Sequence, residues 1–573
     1  MGKVNRREFF EEFIATQTET AAPAAGEDVI YKKYVNKETP RGLSKTTGTL
    51  SKYTGAWGDR QIVHLLRRAM FGVKYEDVLA LRTMTMEQAV DELLSAQTIP
   101  APPVNNYNTA TYTDPTGVQL DDTWVNAPFG DSTVNNYRLL SMTNWWIGRM
   151  IYQPERRITE KMTFFWHNHF ATEYPVVAYA HMLYNHHMIF RNNALGNFKT
   201  IVTAITKDPA MLRYLNGYLN TKTAPDENYA RELFELFTLG KNYKPIYTED
   251  DIKAAAKILT GWRYSTSTWT GNFVSSLHDT SNKTFSSFFA NKSITGKSGT
   301  AGAQETDELI DMIFTKQEVA KFIVRKLYRF FVYYDIDINT EFNIIIPLAQ
   351  MMVNTNWQIK PVLETLLKSE HFYDALSMDC VIRTPLDYIV GTFRTFDIQL
   401  PGGWRSDKEY KIYNYLRTYM ANLGCEPNNP PNVAGWPAFY QEPDYYEKWI
   451  NSTTMPRRMQ FMDMMLGSGF SAGTGTAIKI DPMHLAKKFY SPGDPNLLVT
   501  FFCDLLLGIG ISQTMKDNLK TITLLSGQSQ DYYWTNAWSA YVSNPNTTNT
   551  NTVRTRLVSL LTELTHLAEH NLC

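Results

Sequence analysis

The sequence is short of cysteine. Only Cys380, Cys425, Cys503 and Cys573 occur in 573 residues, far apart and in no CxxC or CxxH pattern. A zinc knuckle and a disulfide framework are therefore not indicated, and buried or incidental thiols are expected. Charge of one sign is also lacking. The formal net charge is −1, so nothing global favours nucleic acid or an anionic membrane as a partner. Long apolar runs are missing too. The longest, near Phe501–Ile511, is interrupted by Asp504 and Gly508 and falls short of the roughly 18 residues that cross a bilayer. No phosphate loop, GxSxG elbow, Rossmann fingerprint or HExxH occurs, which removes P-loop nucleotide hydrolysis, α/β-type serine hydrolysis and zincin chemistry, and indicates no nucleotide cofactor. At the N-terminus Asn5-Arg6-Arg7-Glu8-Phe9-Phe10 has the form of a twin-arginine start, but Glu11, Glu12, Thr16, Gln17, Thr18 and Glu19 stand where an apolar stretch belongs. A cytoplasmic location is the default, and the degenerate start leaves export open.

What is abundant is aromatic. Phe, Trp and Tyr make up 13%, including 33 Tyr and 13 Trp, enough for a large core and an aromatic-lined binding surface. The patterning predicts a mainly α chain, a large multi-helix globular body with long loops and a small β-hairpin within 263–304. Residues 1–55 have the composition of a tail or linker that would be ordered only by docking. The helical body is expected over 56–465 and a C-terminal helical subdomain over 466–573. Helices are predicted at 59–70, 137–152, 156–170, 227–239, 248–260, 316–332, 385–396, 455–466 and 553–571. Gly72 and Gly240 act as stops, and Asn544–Asn551 reads as a low-complexity loop.

Two stretches could carry chemistry. Phe164-Phe165-Trp166-His167-Asn168-His169-Phe170 sets two imidazoles among aromatics. In a straight helix, positions two apart diverge by about 200°, so His167 and His169 share one ion only if the helix ends there, which Pro175 makes plausible. Core histidines bonded to carbonyls are the alternative. About sixty positions later, Glu227, Glu232 and Glu235 stand with Arg231 on an amphipathic helix. Arg231 and Glu235, four apart, can pair, and either Glu232 or Glu235 can point inward as a ligand or general base. His278-Asp279, on a loop after Gly261-Trp262, can supply a third ligand or an oriented base. His181, His186 and His187 are expected at the surface.

The chain resembles the DUF1800 family of bacterial proteins, a domain of unknown function. The matching pieces include 64–72 (His-Leu-Leu-Arg-Arg-Ala-Met-Phe-Gly), 165–170, 193–198, 208–212, 227–240, 259–262, 278–279, 325–331 (Arg-Lys-Leu-Tyr-Arg-Phe-Phe), Thr384-Pro385 and 430–437 (Pro-Pro-Asn-Val-Ala-Gly-Trp-Pro). They cover roughly 60–460, and the last hundred residues fit poorly. The resemblance implies a mainly helical fold and, for many members, an export signal. It also implies, as partner, a second bacterial protein of the sulfatase/alkaline-phosphatase-like family, and it brings no established activity. The family pattern keeps both histidines, the Glu-rich helix and the His-Asp pair, but often has His where Phe237 stands, so position 237 supplies no ligand here. The leading expectation is a metal-dependent enzyme, hydrolytic or oxidative. His167, His169 and His278 would hold Zn, Fe or Mn, with Glu232 or Glu235 as ligand or base and Arg231 as orienter. The rival is a non-catalytic helical scaffold, a secretion or assembly partner, in which these side chains form a buried polar network. Neither reading fixes the homo-oligomeric state.

Overall fold

The computed structural model describes residues 46, 48–241, 247–402 and 405–573. Most of the expected tail lies outside them. The part that is described docks as a short strip: the Tyr53 N–H donates to the Lys368 carbonyl at 2.8 Å, and the Ser51 and Thr49 carbonyls accept from Glu370 and His371.

Helix α1 (Asp59–Ala69) ends as the sequence predicts. Gly72 turns at φ +84°, and a Cβ there would come within 2.4 Å of the Gly391 Cα. The turn and the close approach both demand glycine. Helix α2 (Ser132–Tyr152) starts five residues before its predicted start, because the Asp131 carboxylate caps the Val134 N–H and recruits a polar turn that composition alone assigns to loop. Helix α3 (Thr159–His169) packs along α4 (Ala180–Asn192). All eleven residues of α3 are buried.

Helix α5 (Asn228–Glu232) runs into a π-helical turn over Leu233–Thr238, where one α-helix is predicted. The Leu239 and Gly240 N–H groups both reach back to the Phe234 carbonyl, at 2.9 and 3.0 Å. Next come α6 (Gln317–Phe331) and α7 (Pro385–Thr395), the latter capped by Thr384. Helix α8 (Asp407–Asn422) lies along α2. Helix α9 (Thr454–Leu466) packs on α10 (Thr547–Thr565). That last helix begins inside the predicted loop at 544–551. The Asn546 side chain accepts from the Asn549 N–H, so the Asn/Thr run is a capped first turn.

The segment 263–304 holds two small antiparallel hairpins. Strands β1 (Trp262–Tyr264) and β2 (Gly271–Phe273) pair with Trp262 opposite Phe273, and β3 (Lys283–Thr284) pairs with β4 (Ser293–Ile294). The class is thus mainly α with small hairpins, as the patterning predicts. One continuous apolar core runs from Ile62 to Leu572. The chain's last residues join it, the Cys573 N–H donating to the Val381 carbonyl at 2.8 Å. All four cysteines are buried and unbridged. Among the described residues no helix is long and apolar enough to cross a membrane.

Replacing Gly72 by alanine should cost about 2–4 kcal/mol, from the positive φ and the backbone clash together. Urea unfolding measures this. An unchanged midpoint would show that α1 does not close on α7 in this way.

Candidate functional site

Because α3 has no solvent face, its histidines leave it in different directions, as their spacing requires. His167 sits edge-on to Trp146 and Trp436, with ring centres 5.5 and 5.7 Å away. Its Nε2 is buried without a hydrogen-bond partner. Burial, and then the neighbouring His186, push its pKa down to about 3, so the ring is neutral. His169 turns the other way. Lys326 donates to its Nδ1 at 3.0 Å, which places the ring proton on Nε2, and Nε2 donates to the Phe237 carbonyl at 3.0 Å. Between the two histidines, the Asn168 side-chain oxygen accepts from the Trp436 N–H at 2.9 Å. A Cβ on Gly435 would lie 2.3 Å from that same oxygen, so the Gly435-Trp436 pair fits only as glycine followed by a docked indole.

The role of His169 follows from the helix it meets. The last carbonyls of a helix have no intrahelical donor and favour cations or side-chain N–H groups. His169 serves the Phe237 carbonyl, and Lys326 approaches the Leu236 carbonyl at 3.4 Å. Together they cap the π turn. The Lys326 side chain is half-buried. Burial, and then Arg329, lower its pKa from 10.5 to about 7. Position 237 thus takes part through its backbone, although its side chain is no ligand.

Arg231 does not reach α3. It is held by three carboxylates, Glu249 at 2.7 Å, Glu227 at 3.1 Å and Glu235 at 3.5 Å, in a partly exposed network. Lys241 shares Glu235 at 3.0 Å. Glu232 is half-buried, and burial followed by the charge of Glu235 raises its carboxyl above the ordinary range. A raised carboxyl of this kind is what a general acid or base needs.

His278 belongs to a different neighbourhood. Its Nδ1 faces the Thr260 carbonyl at 3.0 Å and its Nε2 faces Glu305 at 3.1 Å. Glu305 is itself paired with Lys283 at 2.6 Å. Asp279 bonds to Ser281 and, through its N–H, to Thr260, so His278 and Asp279 form no dyad. The structure therefore does not bring His167, His169 and His278 together. Among the described residues no three His, Cys, Asp or Glu side chains are grouped so as to hold a metal ion.

The expectation that His181, His186 and His187 are at the surface is wrong. All three are buried, because α4 is covered by α2, α3 and the tip of the first hairpin. His181 stacks on Trp269 at 4.5 Å, nearly coplanar. The His186 Nδ1 meets Asp208 at 2.8 Å, while its Nε2 is buried without a partner. His187 contacts Arg191, which forks onto Glu160 at 2.7 and 2.6 Å. Burial would raise the Glu160 carboxyl, but Arg191 and Arg149 outweigh it and hold it below the usual range.

Sequence reasoning passed over a second cluster. Arg67 and Arg68 of α1, Lys161 of α3, Arg329 of α6 and Asp387 of α7 line a cavity of about 30 Å³. Arg67 pairs with Asp379 at 3.1 Å, and Lys161 pairs with Asp387. The signal was present: two consecutive arginines directly after the apolar Leu65-Leu66 of a helix, in one of the pieces that carry the resemblance.

The family model described as "Protein of unknown function (DUF1800)" matches residues 64–561. The match runs about a hundred residues beyond 460, so the C-terminal helices, expected to fit poorly, fall within it as far as 561. No curated protein and no solved structure matches the chain.

The Lys326 amine generates a pH prediction. The unfolded chain keeps that proton up to about pH 10.4, whereas the folded chain releases it near 7. Between these values the unfolded state binds more protons, so stability rises with pH across this window. Lys326→Met should flatten that rise between pH 7 and 9.5 in chemical unfolding. Equal slopes in both proteins would refute the assignment.

Proposed function

We propose that this chain, which belongs to the DUF1800 family of proteins of unknown function, serves as a non-catalytic helical scaffold, an assembly or secretion partner of another protein. The observation that carries this reading is how the polar side chains of α3 and α4 are used. Four of them reach different segments: His169 a helix end, His186 the Asp208 cap, Arg191 the Glu160 carboxylate, and Asn168 the Trp436 backbone. Groups so used fix helix packing and are not presented to a substrate. None of these residues lines the cavity described above. The surface offers places for a partner. Ile338 and Phe342, a turn apart, are 71% and 62% exposed, and Tyr532 stacks on Tyr533 at the surface. A sulfatase/alkaline-phosphatase-like protein is the partner that the resemblance suggests.

One observation favours the metal reading. The Nε2 atoms of His167 and His186 are both buried without partners, and His186 adds to burial in lowering the His167 pKa. A divalent Zn, Fe or Mn ion bridging them, with Asp208 orienting His186, would follow the carboxylate–histidine–metal pattern.

A single comparison separates the two readings. The His167→Ala/His169→Ala protein should lose about 2–4 kcal/mol of stability in metal-free buffer. Plasma mass spectrometry of the unaltered protein should find no stoichiometric metal. Near-stoichiometric Zn, Fe or Mn that disappears in the double variant, with the fold kept, would replace the scaffold by the metalloprotein.

A further inference from the structure

One face of the molecule is built apart from the main core. Val177, Met182 and Ala210 form a small core of their own, with Tyr179, Tyr264 and Trp269 packed on it. Over it the short helix Pro209–Tyr214, the turn Gly217–Leu219 and β1 meet one another. The backbone around this face is strained at three places. Ala178, Asn216 and Trp269 have φ of +59°, +58° and +56°. Asparagine tolerates that conformation, whereas alanine and a bulky aromatic hold it only where the surroundings impose it. Such positions gather at ligand clamps and other functional sites.

Two half-buried arginines serve this face without a carboxylate. Arg213 donates to the Val176 carbonyl at 3.2 Å and to the Tyr264 hydroxyl at 3.0 Å, and its guanidinium lies 5.0 Å from the centre of the Tyr179 ring. Arg263 donates to the Trp262 and Asn220 carbonyls at 2.7 and 3.2 Å. All four acceptors are neutral. Burial lowers the Arg263 pKa, and no carboxylate offsets it. Two carboxylates close by are committed elsewhere: Glu173 accepts from the Tyr214 hydroxyl at 2.7 Å, and Asp226 from the Asn228 N–H at 2.9 Å.

Apolar surface joins the two arginines. The Tyr218 and Tyr264 rings meet at 5.0 Å. Leu219, between Tyr218 and the Asn220 that holds Arg263, is 57% exposed, and Val176, which holds Arg213, is 44% exposed. Tyrosine, tryptophan and arginine are the residues that dominate the energy of protein interfaces. Arginine pairs take acidic motifs through charge-assisted, bidentate hydrogen bonds. A nucleic acid strand would bring phosphates but no aliphatic counterpart for Leu219 and Val176, whereas a peptide sets carboxylates beside an apolar side chain.

We propose that this face docks an acidic segment of a partner protein, its carboxylates on Arg213 and Arg263 and an apolar side chain between them against Leu219 and Tyr218. The proposal rests on the scaffold reading and names the chemistry of what the scaffold holds.

The test is titration calorimetry of the full chain with the peptide Asp-Leu-Glu-Phe-Asp-Leu-Glu-Phe, with its Asn/Gln counterpart and with an oligothymidylate. The acidic peptide should bind saturably at one site per chain, and more weakly as salt is added. Arg213→Gln and Arg263→Gln should each weaken it about tenfold. Leu219→Ser, at a position too exposed to unsettle the fold, should weaken it several-fold, and Val542→Ser, on a distant exposed helix, should leave it unchanged. Leu219→Ser and the salt dependence decide the matter if the arginine variants do not fold. No saturable binding up to about 1 mM peptide would overturn the proposal. So would equal affinity for the Asn/Gln peptide, oligothymidylate binding without peptide binding, or unchanged affinity in folded Arg213→Gln and Leu219→Ser proteins. Such a failure leaves the scaffold reading in place, because that reading is decided by metal content and by the stability of the His167→Ala/His169→Ala protein.

Discussion

A helix with no solvent face must satisfy every polar side chain within the protein. Helix α3 is that helix. In eleven residues it buries Glu160, Lys161, two threonines, two histidines and Asn168. An unpaired buried charge costs several kcal/mol, and an unsatisfied neutral group costs about 1–3. The partners therefore come from far along the chain. Arg191 meets Glu160, Asp387 meets Lys161, the Trp436 N–H meets Asn168, and the Phe237 carbonyl and Lys326 meet His169. Replacing one partner leaves the other stranded, which is why these contacts restrict the arrangement of helices more than they add to net stability.

Local structure was legible in the sequence where it depends on local chemistry. The helix periods, the glycine stop at Gly72, the divergence of His167 from His169 and the irregular segment at 263–304 all follow from spacing and turn residues. What was not legible depends on burial all round a helix. Periodicity assumes one apolar face, so His181, His186 and His187 read as surface although α4 is enclosed. Cap chemistry was underweighted at Asp131 and Asn546, each of which starts a helix in a stretch whose composition suggests loop. The π turn at 233–238 has no signature in its hydrophobic pattern. It is visible only through the donors that its loosened carbonyls attract.

The π turn also recasts the carboxylate helix. A run of Glu and Arg near two histidines invites a catalytic reading, and π turns often occur at functional sites. Here the polar contact between the two stretches falls on backbone: a His169 N–H and the Lys326 amine on the last carbonyls. Arg231 gathers two of the carboxylates, Glu227 and Glu235, together with Glu249 of the following helix. Glu232, the remaining glutamate of the run, has its carboxyl raised, by burial and then by the charge of Glu235.

The pieces that carry the family resemblance meet each other in space. The Trp166 indole donates to the Ala194 carbonyl, joining the piece at 165–170 to the one at 193–198. Asn168 joins it to Gly435-Trp436, and His169 joins it to 227–240 and, through Lys326, to 325–331. Arg67-Arg68, Arg329 and Thr384 come together at the basic cavity. Most of these joints are the polar contacts that a fully buried α3 requires, so the motifs as a set encode how this helix is enclosed. A shared motif set of this kind transmits a fold, and chemistry has to be argued from a site with an unmet need.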